Sequence, residues 1–373
     1  MRVLFQARIN LFSTPGGDTI QILKTREYLE KLGIRCDLST SINAKIEYEK
    51  YDLVHLFNVT RIQETYWYAR KAKQANKPVI LSTIYWDNKD VEKLSDIGFR
   101  SMFNKYLTLN QIEFLKGLGR LILRRELNKP TLYLLYKGFR QLQLDLLNYV
   151  DYYLPNAEIE MEMFHRQFSS HKQLPYSVIP NAVEIPTNIE KNNHSDYKKF
   201  ENCVLCVGRI DPRKNQLNLV RALKESDLKV VFVGQPAPNH RAYMKKIEEE
   251  KRPGMYFLGW INHDEITELY KLARVHICPS WYETPGLVSL EAGVSDCNIV
   301  VTDLGSTREY FGSLAYYCKP DSIISIHDEI IKAYNTPIDK QLKDRILKNY
   351  TWEKTAEKTA VAYKTLLHKF NKK

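Results

Sequence analysis

Two carboxylates raise the first chemical question. In PSWYETPGLVSLEAGVSD, residues 279–296, Glu283 and Glu291 stand with seven residues between them in a segment otherwise made mostly of apolar and small residues. The strand-like run VHICPS (275–280) leads into them, Pro285-Gly286 breaks the chain, and LVSLEAGV continues as a helix. At such a helix start the unpaired N–H groups of Gly286, Leu287 and Val288 favour a phosphate. Carboxylates flanking an anion site make electrostatic sense when they accept hydrogen bonds from hydroxyls, which sugars and riboses supply. Earlier in the chain, GRIDPRKNQ (208–216) follows another apolar run and carries Arg209, Arg213 and Lys214. Guanidinium and ammonium groups at that edge could neutralise a diphosphate.

The elements that position these residues come in two series of short apolar runs alternating with amphipathic ones, the pattern of parallel strands and crossover helices. In the first half RVLFQARI (2–9), DLVHLFNV (52–59), KPVILSTIY (77–85), YVDYYLPN (149–156) and YSVIPNAVEI (176–185) read as strands. The turn STPGGDT (13–19) opens a helix over 20–33. After the polar, linker-like PTNIEKNNHSDYKKF (186–200), the series restarts with NCVLCVGRI (202–210), LKVVFVGQ (228–235), MYFLGWI (255–261), VHICPS and NIVVTD (298–303), with a helix around 216–226. A long helix is expected over 350–370. Two α/β domains facing a cleft would gather their ligands at the carboxyl ends of the strands.

The succession VGRIDPRKN, VVFVG, FLGWINHDEITELYKLARVHICPSWYETPGLVSLEAG and VVTDLGSTREYF closely resembles the family-4 retaining glycosyltransferases of the GT-B fold, over nearly all of residues 202–318. PGGDTIQ and VIPNAVE in the first half resemble that family's acceptor-side glycine loop and the strand end before the linker. The resemblance implies two Rossmann-like parallel-sheet domains facing a central cleft: an acceptor-binding domain over 1–185, a linker over 186–200, a nucleotide-sugar donor domain over 201–349, and a C-terminal helix over 350–373 crossing back to the first domain. It implies that Arg209 and Lys214 hold the donor diphosphate and stabilise the leaving group. Glu291 would accept from the ribose and Glu283 from the transferred sugar. Pro285, Gly286, Leu287 and Val288 would form the anion-binding turn, and Trp260 and Ile261, after Gly259, would meet the base. Gly16 and Gly17 would let backbone approach the diphosphate from the other wall. It implies retention by front-face substitution, which needs no dedicated nucleophile, with the cations and helix terminus taking the place of a metal. No metal site or resident cofactor is expected; the nucleoside-diphosphate sugar, by base rate a UDP-sugar, is a co-substrate.

Departures from the family pattern are equally specific. Many relatives place a histidine after a first-domain strand to meet the donor sugar, whereas ILSTIYWDN ends in Tyr85, Trp86 and Asp87. These three are taken as sugar or acceptor contacts, with Asp87 also a catalytic candidate, against the plainer reading of an aromatic pair packing a domain edge. His55 in DLVHLFN reads as a hydrogen-bonded core histidine rather than a base. Glu309 in GSTRE resembles a glutamate closing the donor-site rim. Cys203-x-x-Cys206 lies in a strand-like run without a second ligand pair and reads as core packing.

Composition sets the outer limits. The 373 residues, 44% of them hydrophobic, suit two domains with real cores and exclude a disordered chain. No run reaches the roughly 20 apolar residues of a membrane span, and the start lacks the apolar core and cleavage site of a secretory signal, so a cytoplasmic location with six reduced cysteines is expected. A formal charge of +11 calls for an acidic partner. Much of it is concentrated between 100 and 140, where Arg100, Lys105, Lys116, Arg120, Arg124, Arg125, Lys129, Lys137 and Arg140 face only Glu113 and Glu126. Apolar residues interleave at helical spacing across 99–147, which suits peripheral contact with anionic lipid on the inner face of the cell membrane and a glycan or lipid-linked acceptor, or else two ordinary surface helices. Surface-polysaccharide assembly fits such a chain; a catalytically silent GT-B domain serving protein glycosylation is the alternative. No nucleic-acid module accompanies the charge.

Overall fold

The computed structural model describes residues 1–86, 109–123, 128–168, 173–185, 195–236 and 240–372. Asp87, residues 99–108 and 124–127 of the basic stretch, and the first part of the expected linker lie outside them. Two compact units divide the chain. The described residues up to 181 and those from 352 onward form the first, and residues 182–351 the second.

The first unit is built on a parallel five-stranded sheet, β1 (Arg2–Gln6), β2 (Arg35–Ser39), β3 (Leu53–Phe57), β4 (Val79–Ser82) and β5 (Tyr152–Tyr153), in the order β2-β1-β3-β4-β5. β3 and β4 are buried at every position, as a sheet covered by helices on both faces requires. β2 reads RCDLS, an edge strand whose mixed residues give no apolar run. The stretch 176–185, expected as a strand, makes only isolated bridges, Tyr153 to Tyr176 and Val183 to Thr351. Pro175, just before it, and Pro180, within it, withhold donors a ladder needs there.

Helix Trp352–Phe370 packs on helix Gly17–Lys31, so the expected return of the final helix to the first unit is what the fold contains. Thr355 donates to the Pro180 carbonyl at 2.8 Å. The tie at the centre is His55, 1% exposed, whose Nδ1 lies 2.6 Å from the Tyr363 hydroxyl and whose Nε2 lies 2.9 Å from the Ser82 hydroxyl. Burial lowers the imidazole to a pKa of about 3, so it stays neutral, with one nitrogen donating and the other accepting. His55 is thus a core residue joining two strands to a helix far along the chain.

The second unit carries β6 (Val204–Val207), β7 (Val230–Val233), β8 (Met255–Phe257), β9 (Val275–Cys278), β10 (Asn298–Thr302) and β11 (Tyr316–Cys318), all parallel, in the order β11-β10-β9-β6-β7-β8. Cys203 and Cys206 are buried free thiols of this core. The expected linker ends in a 3₁₀ turn, Ser195–Phe200, that belongs to this unit: Phe200 is buried against Tyr256, and the Tyr197 hydroxyl donates to Glu265 at 2.9 Å. Among the described residues no helix is long and apolar enough to cross a membrane.

Replacing Tyr363 with Phe leaves a buried nitrogen of His55 without its partner. The expected result is a loss of about 1–3 kcal/mol, read as a lower urea midpoint at unchanged slope.

Candidate active site

In the second sheet β6 lies between β7 and β9, so successive strands run outward in opposite directions from the β6–β9 pair. A crevice at that switch point, beyond the carboxyl ends of the strands, is where such sheets bind ligands. The loop after β6 holds Arg209, Arg213 and Lys214; the loop after β9 holds Ser280, Glu283 and Gly286. The two loops are stitched together: Trp281 N–H donates to the Arg213 carbonyl at 2.9 Å, and the Asn215 amide donates to the Pro279 carbonyl at 3.0 Å. Asp211 caps the 3₁₀ turn Pro212–Lys214 by accepting from Lys214 N–H at 3.0 Å.

Glu283 is the focus of these loops. It is 6% exposed, and its Oε1 accepts from the Lys214 ammonium and lies 3.6 Å from Arg213 Nη1. Burial alone would raise its pKa, but Lys214 and Arg213 outweigh burial and hold it at about 2. The backbone of Glu283 is clamped by the turn after β10: its N–H donates to Leu304 O at 3.3 Å and its carbonyl accepts from Ser306 N–H at 2.9 Å. Gly305, at φ +105°, makes that clamp possible, because a Cβ there would stand 2.0 Å from the Glu283 carbonyl oxygen. Lys214 and Glu283, placed together from sequence, therefore do meet. Arg213 joins them, whereas Arg209 is turned outward, its side chain 58% exposed and paired with Asp211 at 3.1 Å.

Gly286 precedes helix Leu287–Val294 at φ +86°, and a Cβ on it would come within 3.3 Å of Glu283 Oε2. Among the described residues Leu287 and Val288 donate no backbone hydrogen bond, so their N–H groups are available at the helix start. Pro285 and Gly286 are buried, and Leu287 and Val288 half-buried.

Glu291 occupies the same helix. Its Oε2 accepts from the Tyr270 hydroxyl at 3.3 Å, and its Oε1 lies 3.9 Å from His263 Nε2. The carboxylate raises the His263 pKa above the ordinary imidazole value. Sequence reasoning passed over His263 and Tyr270. The signal lay in Asn262 and Glu265, a capping box that starts helix His263–Leu272 and puts residues 263 and 270, two turns apart, on one face. Trp260, 73% exposed, and the half-buried Ile261 stand in the turn just before that helix.

The first-unit candidates are less uniform. Gly16 caps helix Gly17–Lys31 with φ −153°, an extended conformation that any residue adopts, so backbone geometry does not require glycine there. The loop holding Gly16 and Gly17 is organised by Arg8, which binds Asp18 at 2.7 and 3.0 Å and the Thr14 carbonyl at 2.9 Å. Tyr85, expected as an acceptor contact, is held by the core of the first unit. It is 9% exposed, its ring packs edge-on against Phe164 and Phe168, and its N–H donates to the buried Glu160 at 2.9 Å. Trp86 is half-buried.

Comparison with known proteins agrees with this fold. The chain has the GT-B fold: it superposes over 100% of its length on 98% of the Anabaena HepE protein, solved in complex with UDP and glucose, with a TM-score of 0.60 at 15% identity. Residues 187–351 match the family described as Glycosyl transferases group 1, which bears out the resemblance read from the motifs. An uncharacterized glycosyltransferase of Methanocaldococcus jannaschii is 30% identical over 177 residues, 44% of this chain and 45% of that protein. O-antigen chain mannosyltransferase B of Escherichia coli is 24% identical over 178 residues, 45% of this chain and 47% of that protein. The matches span about half the length of these curated relatives.

Because the folded pKa of Glu283 is depressed, the ion pair's contribution to stability is fully present above about pH 4.5 and lost as pH falls toward about 2. The stability advantage of wild type over Glu283→Gln should therefore shrink across that window in acid-unfolding curves. A constant difference would place the charge elsewhere.

Proposed function

We propose that this protein is a retaining, metal-independent glycosyltransferase that moves a sugar from a nucleoside-diphosphate sugar to a glycan or lipid-linked acceptor. The observation carrying this reading is the meeting of Lys214, Arg213, Glu283 and the amide end of helix Leu287–Val294 at the switch point of the second sheet. Lys214, with Arg213 and the outer Arg209, takes the diphosphate, where positive charge stabilises the negative charge growing on the leaving group. The amides of Gly286, Leu287 and Val288 add donors to the same oxygens. Glu283 accepts from hydroxyls of the transferred sugar and sets the anomeric carbon; Glu291 accepts from the ribose; Pro285 shapes the turn; Trp260 and Ile261 border the base. Cations already fixed by the fold supply the charge that a metal would otherwise bring, which supports transfer without one.

Retention follows from front-face attack, in which the leaving phosphate deprotonates the acceptor and no protein nucleophile intervenes. Gly16 and Gly17, in the loop held by Arg8, approach the diphosphate; Trp86 and Asp87 contact the acceptor. A UDP-sugar is the first donor to try, since HepE was solved with UDP and glucose. The likeness to an O-antigen mannosyltransferase supports a role in bacterial surface polysaccharide assembly.

The test is transfer or donor hydrolysis with a panel of nucleotide sugars, preceded by thermal-shift measurements with UDP, GDP, CDP, ADP and dTDP to identify the base. Lys214→Ala and Glu291→Ala are each expected to lower turnover at least about a hundredfold with the melting transition retained. Wild-type rates in both would remove the site.

A cytoplasmic protein resting on the inner membrane face is the reading for location. Its support is the exposed apolar set Phe114, Leu115, Leu132 and Tyr136, the last 86% exposed, beside exposed Lys129. Two further cations of the stretch serve the fold instead: Lys137 pairs with Asp145 and Arg140 donates to the Gln167 carbonyl. Sedimentation with anionic but not neutral vesicles at low salt is expected, and equal partition would dismiss the membrane contact.

A further inference from the structure

Cys278, the last residue of β9, is a side chain in contact with Glu283 to which the reading above gives no role. It is 3% exposed, and its Sγ lies 3.5 Å from Glu283 Oε1, 3.4 Å from Ser280 Oγ and 4.0 Å from Lys214 Nζ. Burial raises its pKa, so the sulfur keeps its proton and can act as a donor. Three contacts of Glu283 fall on one oxygen, and the Ser280 hydroxyl also bonds to the carboxylate. Lys214, Arg213 and Cys278 all address Oε1, while Oε2 lies on the Gly286 side, beside the start of the helix.

We infer that Cys278 is a positioning residue for Glu283: its S–H anchors Oε1 and thereby presents Oε2 to the hydroxyl of the transferred sugar. The inference rests on the glycosyltransferase reading. Lys214 and Arg213 cannot fill this role alone, because a diphosphate draws on the same two cations. The neutral thiol draws phosphate far less than either cation does, which leaves it to the carboxylate, with Ser280 beside it. A sulfur donor is weak, so its effect is modest, and it falls on the step in which the sugar must be held in line rather than on nucleotide binding.

Three variants of the full chain test this. Cys278→Ala is expected to lower kcat about fivefold, with the donor KM and the dissociation constant of the nucleoside diphosphate unchanged; Cys278→Ser, which keeps a donor, recovers most of the loss. In infrared difference spectra the S–H band removed by Cys278→Ala should move to higher frequency in Glu283→Gln, whose side chain is a weaker acceptor. An unchanged kcat in Cys278→Ala overturns the inference, as does an equal loss in Ala and Ser, or a band that ignores Glu283→Gln. A wild-type chain that consumes no nucleotide sugar would sink the functional reading instead, and the infrared arm would still judge the contact.

Discussion

A carboxylate taken out of water must find positive charge, and in the second unit that carboxylate is Glu283. Desolvating it without partners would cost several kcal/mol, and the loop after β6 answers with Lys214 and Arg213. Much of the local architecture follows from this demand. The capped turn at Pro212–Lys214 sets the cations at the right height, the Trp281 and Asn215 bonds hold the two loops in register, and Gly305 lets the turn after β10 clamp the Glu283 backbone. A buried ion pair is weak evidence for stability in itself. Here it fixes one arrangement of three loops, and in the proposed reaction those charges also meet the diphosphate.

Strands buried on both faces announced themselves as apolar runs, which is why β1, β3, β4, β6, β7, β9 and β10 were legible in the sequence. β2 and β11 escaped because an edge strand with mixed residues, RCDLS or YYC, has no run to see. The stretch 176–185 misled in the other direction, its apolar residues suggesting a strand that Pro175 and Pro180 prevent. In the site, Glu283, Lys214 and the glycine turn were readable because type and spacing were distinctive. His263 and Tyr270 were not, since their approach to Glu291 depends on how two helices pack, and the packing of Tyr85 on Phe164 and Phe168 depends on tertiary structure in the same way. Arg209 and Arg213 show the limit of spacing: four residues apart in one loop, only the second turns inward.

The two buried histidines of the strands show how context assigns a role. His55 in β3 and His276 in β9 are both almost wholly enclosed, and burial lowers both to a pKa of about 3. Neither can serve as a proton carrier near neutral pH. His55 spends its two nitrogens on Tyr363 and Ser82, turning a polar residue into a joint. The titratable groups to which the proposed reaction gives roles lie elsewhere, in the loops at strand ends.

The joint between His55 and Tyr363 also bears on how the polypeptide is made. Because helix Trp352–Phe370 belongs to the first unit, that unit's sheet is synthesised early yet lacks its closing helix until the whole of the intervening unit has left the ribosome. The inserted unit holds all of its own strands and can mature first. During translation, then, the sheet begun first is the one finished last, with the half-site of His55 and the flank of helix Gly17–Lys31 waiting for a segment not yet born.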